Sequence, residues 1–83
     1  MRTQVAPRAT KRPTSFTTVE IDHPTPGARY ILVRNREGRD IAGAVYYKGR
    51  FMGVEVFEER DRKCNRTRIS AMNALENWEI DNA

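Results

Sequence analysis

Ile41-Ala42-Gly43-Ala44-Val45-Tyr46-Tyr47-Lys48-Gly49-Arg50-Phe51-Met52-Gly53-Val54-Glu55-Val56 is a pair of apolar runs broken once, at Lys48-Gly49. Runs of this length, rich in Val, aromatic and small residues, fall in the strand range and are short for helices. A two-residue break ending in glycine, which supplies positive φ, is the signal of a tight β-hairpin. We therefore read Ile41 to Tyr47 as a third strand and Arg50 to Glu58 as a fourth, with Tyr47 opposite Arg50.

Cross-strand partners share a face. Regular alternation from that pair collects Ile41, Gly43, Val45, Tyr47, Met52, Val54 and Val56 on one face. Ala42, Ala44, Tyr46, Phe51, Gly53, Glu55 and Phe57 fall on the other. A single amphipathic helix covers one face only, and the first set suits it better. The second is then expected to expose Tyr46, Phe51 and Phe57, which could stack nucleic-acid bases or anchor a protein or dimer contact.

Upstream, Arg29 to Arg34 is apolar on both faces and reads as an internal second strand, followed by a turn over Asn35 to Asp40. Ser15 to Asp22 alternates Thr17, Val19 and Ile21 against Phe16, Thr18 and Glu20, which reads as a half-buried first strand. His23-Pro24-Thr25-Pro26-Gly27 ends it, because two prolines and a glycine cannot continue a ladder. Downstream, Glu59 to Cys64 is too charged for a core. A helix is expected after it, N-capped by Asn65 or Thr67, with Ile69, Ala71, Met72, Leu75 and Trp78 on its buried side and Arg66, Ser70, Asn73 and Asn77 opposite. The fold class is α+β: a four-stranded antiparallel meander packed by one C-terminal helix. Residues 15–83 form the single domain and residues 1–14 a disordered basic arm.

The 83 residues carry a net charge of +4, 39% hydrophobic residues and one cysteine. No run of about 18 apolar residues occurs and the N-terminus lacks an apolar h-region, so neither a membrane helix nor a secretory signal is expected. Cys64 alone cannot form an internal disulfide or a cysteine zinc cage, which favours a cytoplasmic setting.

The bases are 12 Arg and 3 Lys, and Arg is the better bidentate partner of phosphate. The net charge resides in the leading segment, where Arg2, Arg8, Lys11 and Arg12 have no acid among them. Such arms commonly track a nucleic-acid backbone. The meander sends Arg34, Arg36, Arg39, Arg60, Arg62, Lys63, Arg66 and Arg68 to one end of the sheet and Arg29, Lys48 and Arg50 to the other. The helix places Arg66 and Arg68 at its start and Glu76, Glu79 and Asp81 at its end, the reverse of what its dipole favours.

His23, the only histidine, stands in a Pro-rich turn, and no Walker A, G-x-G-x-x-G, H-E-x-x-H or metal-spaced Cys/His pair occurs. Neither catalysis nor a cofactor is expected. The order of strands, the basic loop over Lys63 to Arg68 and the closing helix resemble the β-β-β-α half of double-stranded RNA-binding domains. They are also similar to the three-stranded, one-helix arm-site modules of phage-type integrases. Both likenesses are topological and cover about residues 29–80. The chain departs from the first in having a strand over Ser15 to Ile21 and no glycine between Glu58 and Asn65.

These observations favour a small non-enzymatic nucleic-acid-binding module, for DNA or RNA, acting as a monomer or homodimer without membrane contact. Its expected phosphate contacts are Arg8, Lys11, Arg12, Arg36, Arg39, Arg62, Lys63, Arg66 and Arg68. The alternative is a small inhibitor or adaptor of a host or cellular protein, of the kind carried by phages and mobile elements, anchored by Tyr46, Phe51 and Phe57.

Overall fold

The computed structural model describes residues 10–58, 60 and 65–83. Strands β1 (Thr17–Asp22), β2 (Ala28–Arg34), β3 (Asp40–Tyr47) and β4 (Arg50–Val56) form one antiparallel sheet in sequence order, and helix α1 (Asn65–Asp81) closes it. The α+β meander read from the sequence is the fold observed. No described helix is long and apolar enough to cross a membrane.

The hairpin is tight, with Tyr47 opposite Arg50 and positive φ at both Lys48 and Gly49. Regular alternation stops one pair further on. Tyr46 faces Phe51, but Val45 faces Gly53, so Met52 is an extra residue and β4 carries a bulge. Gly53 takes φ +149°, a conformation that disfavours other residues. The extra residue turns Val54 and Val56 to the side of Ala42, Ala44 and Tyr46, and sends Glu55 to the side of Gly43.

That shift corrects the expected faces. The helix covers the Ala42, Ala44 and Tyr46 side: Ile31, Val33, Ile41, Ala42, Ala44, Tyr46 and Val56 are buried with Ala71, Ala74 and Leu75, and Phe16, Val54, Met72 and Trp78 pack against them. A second bulge, which sets Arg34 opposite Asp40 and Val33 opposite Ala42, lets Ile41 join this core beside Ala42. Alanines on both layers keep the helix close to the sheet, and the branched side chains fill the rest. On the helix, Ala71, Ala74, Leu75 and Trp78 follow the i, i+3, i+4, i+7 spacing. Ile69, expected in that stripe, is 59% exposed.

The uncovered side of the sheet carries Val19, Ile21, Tyr30, Leu32, Val45 and Tyr47 by register. Tyr30 lies across Gly43 there: a Cβ at Gly43 would stand 2.0 Å from the phenol oxygen and 3.0 Å from the Phe57 ring. Burial raises the pKa of the Tyr30 phenol, and Glu55 and Asp40 add to the effect.

Deleting Met52 tests the bulge. With Gly53 already opposite Val45, the deletion removes the extra residue and preserves every other pairing, so the variant is expected to fold. Its thermal midpoint by circular dichroism should lie within about 5 °C of the parent, the effect of about 1 kcal/mol at this chain length. In a bulge-free register the same deletion would expose Val54 and Val56 and unfold the chain.

Candidate nucleic-acid interface

The turn between β2 and β3 is held by its own backbone. Asn35 N–H donates to Arg39 O at 2.9 Å, Gly38 N–H donates to Asn35 O at 3.0 Å, and the Asn35 side-chain oxygen accepts from Arg39 N–H at 2.9 Å. Gly38 supplies the positive φ the turn requires. The closed turn leaves Arg36 and Arg39 exposed at the end of the sheet.

Beside it lies a cavity of about 300 Å³ lined by Ser15, Phe16, Asn35, Arg36, Glu37, Arg39, Ile41, Arg60 and Thr67. Three guanidinium groups, two hydroxyls and an amide thus surround a floor made partly of Phe16 and Ile41. This set is rich in donors for phosphate or carboxylate. Among the described residues the one acid on the wall is Glu37; Glu58 pairs with Arg39 at 2.6 Å, and Asp40 pairs with Arg34 at 2.6 Å. Arg68 is exposed nearer β4, beside a shallow depression formed by Val54, Glu55 and Val56, and Arg66 is exposed in the first turn of α1.

Of the residues expected to contact phosphate, Arg36 and Arg39 are brought together at this cavity, while Arg66 and Arg68 stand on the adjoining start of the helix. Arg8, Arg62 and Lys63 lie outside the described residues. Lys11 and Arg12 lie elsewhere. Residues 11–14 run along the helix from its C-terminal end back toward Ser70, and the Arg12 main chain forms a two-way pair with the Asn77 amide: N–H to Oδ1 at 2.6 Å and Nδ2 to O at 2.9 Å. Arg12 Nε donates to Glu76 at 3.0 Å, Lys11 Nζ meets Asp81 at 2.8 Å, and Thr14 Oγ1 donates to Ser70 O at 3.3 Å. Lys11 and Arg12 therefore sit at the end of the molecule opposite Arg36, and the segment reaches the Arg36 cavity only at Ser15.

Those contacts account for the reversed charge order along the helix. Its C-terminal acids hold Lys11, Arg12 and the Tyr46 hydroxyl, which donates to Glu79 at 2.6 Å. Surface pairs of this type contribute about 0–1 kcal/mol each, so their effect is chiefly to fix where the segment lies.

The aromatic trio does not share a face. Tyr46 is 2% exposed, 4.7 Å from Trp78 by ring centroids and 5.7 Å from Phe51. Phe51 is 41% exposed at the sheet margin on the helix side, and Phe57 approaches Gly43 from the opposite side. The bulge and the position of the helix are the reasons. Arg29 shares the Tyr46 side: its guanidinium lies 4.9 Å from the Trp78 ring and grips both carboxylate oxygens of Glu20 at 2.7 Å, which lowers the Glu20 pKa and raises that of Arg29.

Arg60, Ser15, Asn35 and Thr67 were not among the expected contacts. Arg60 was legible as another base at this end, whereas the hydroxyls and the amide carried no pattern that set them apart from other surface polar residues. No group of three His, Cys, Asp or Glu that could hold a metal occurs among the described residues. No family model, curated protein or solved structure matches this chain.

Proposed function

We propose that the chain is a small non-enzymatic nucleic-acid-binding module, with Arg36, Arg39, Arg60, Arg66 and Arg68 contacting the phosphate backbone. The observation that supports this reading is a cluster of arginines without ion pairs at one end of the sheet, although Arg34 and Arg39 there are paired and Lys48 and Arg50 at the other end make no ion pair among the described residues. Lys11, Arg12, Arg29 and Arg34 are each held by an acid of the fold. Arg36, Arg60, Arg66 and Arg68 make no ion pair among the described residues, and they share the end that carries the donor-lined cavity. Phosphate contacts supply affinity without sequence information, so sequence discrimination is expected to be weak.

Fluorescence anisotropy of the full chain against labelled duplex DNA, duplex RNA and single strands tests it. Counting the four arginines without an ion pair, and not Arg39, which Glu58 holds, duplex DNA affinity should fall by about 100-fold between 50 and 200 mM salt. Replacing Arg36, Arg60, Arg66 and Arg68 together by Gln should nearly flatten that dependence, whereas Lys11→Gln with Arg12→Gln should leave it close to the parent. Absence of binding to every polymer at 50 mM salt would overturn the proposal.

A further inference from the structure

The sheet side opposite the helix is apolar in successive rows. Val19, Leu32, Gly43 and Glu55 make one row across the four strands, and Ile21, Tyr30, Val45 and Gly53 make the next, with Tyr47 below them. Ile21 is 41% exposed, Tyr47 38% and Met52 60%. Four strands about 4.8 Å apart and about seven residues long present roughly 400 Å² in flat projection. The apolar rows make up part of that area between charged ends, and an apolar patch of a few hundred Å² on a small chain is a candidate interaction site.

We propose that this face is a two-fold interface between two copies of the chain. Its strand-borne charges point to a second copy. Arg34 and Asp40 satisfy each other, whereas Arg50 and Glu55, both exposed and both on β4, have no ion-pair partner among the described residues. A two-fold axis in the plane of the interface and perpendicular to the strands sets β4 antiparallel to its copy. Arg50 of each copy then approaches Glu55 of the other. The face is neutral in its strand charges, so like copies do not repel.

The relief of the surface fits the same operator. Beside Tyr30 and Gly43 lies a depression of about 340 Å³, and Met52 stands at its margin. A projecting side chain and a hollow close together on one face are what an isologous contact uses twice. Two copies bury roughly 800 Å² in flat projection and more after allowing for side-chain relief, near the lower limit of specific interfaces, so the dimer is expected to be weak, in the micromolar range.

Sedimentation velocity of the full chain from 5 to 200 µM tests this. A mass rising toward twice that of one chain supports the proposal. Arg50→Glu alone and Glu55→Arg alone should each weaken association at least about tenfold by placing like charges together, and the double swap R50E/E55R should restore it. Both positions are exposed, so the singles are expected to keep the parent circular dichroism spectrum. A monomer at 200 µM overturns the proposal and assigns the face to a foreign protein. Failure of the double swap to restore the dimer overturns the proposed pairing.

Discussion

Replacing Leu75 by alanine is expected to cost about 2–5 kcal/mol of folding stability, the range for emptying a fully buried leucine site. Leu75 is 0% exposed and belongs to the cluster of Ile31, Val33, Ala42, Ala44 and Val56. The neighbouring alanines have no side chain with which to refill the space, which argues for the upper half of that range. A chain of this length has roughly 4–12 kcal/mol of stability in total, so Leu75→Ala removes a large fraction of it. The thermal midpoint should fall by about 10–30 °C, at roughly 4–8 °C per kcal/mol. Ile69→Ala is the matched comparison. Ile69 occupies an apolar position on the same helix but is 59% exposed, and its truncation should change the midpoint by only a few degrees. Equal losses at the two sites would mean that the helix is rotated relative to the packing described.

Tyr46 is expected to show the second large effect, and its two truncations separate packing from hydrogen bonding. Tyr46→Ala removes an aromatic ring that touches Trp78 and Phe51 and should cost about 3–5 kcal/mol. Tyr46→Phe keeps the ring and removes only the donor to Glu79, at about 1 kcal/mol, because Glu79 is exposed and can turn to water. Burial, followed by the bond to Glu79 and the nearby charges of Glu79 and Glu76, pushes the Tyr46 pKa well above the usual phenol range. A raised folded-state pKa contributes stability that is intact below the unfolded value near 10 and is lost as pH rises beyond it. The stability gap between the parent and Tyr46→Phe, measured by urea denaturation, should therefore hold from pH 7 to 9 and close above about pH 10. A gap independent of pH would show that Tyr46 ionises alike in both states.

The strand order and hairpin were legible because apolar periodicity and turn chemistry act over a few residues. Lys48-Gly49 fixed the pairing of Tyr47 with Arg50 and the turns fixed the order of the strands, but two bulges shift the register beyond them. The covered face was not legible, because a single extra residue reverses the meaning of alternation and Met52 looks like any other apolar strand residue. Tyr46 illustrates the result. As an aromatic among alanines it reads as an exposed anchor, yet the small neighbours are what allow the helix to approach and bury it. Ile69 was read into the buried stripe and is exposed, whereas Ala74, not named in it, is buried, since hydrophobicity alone favours Ile but a close helix–sheet contact favours Ala. At the candidate interface the arginines were legible as a charge count at one end of the sheet. Which bases the fold already neutralises depended on side-chain geometry at separations from six positions, as in Arg34 with Asp40, to more than 60, as in Arg12 with Glu76.

The salt bridge between Lys11 and Asp81 brings the two ends of the described chain to one corner of the molecule. Helix α1 has 17 residues and so extends about 25 Å, which separates this corner from the cavity at Arg36 and Arg60 by about the length of the helix. A dye attached at residue 10 or residue 83 therefore departs from the same place, clear of Arg36, Arg39 and Arg60. The chain from residue 10 to residue 83 is in effect a nearly closed ring. A short bridge between those two residues, with a new opening at Lys48-Gly49, would reorder the elements in sequence while leaving each of them in place.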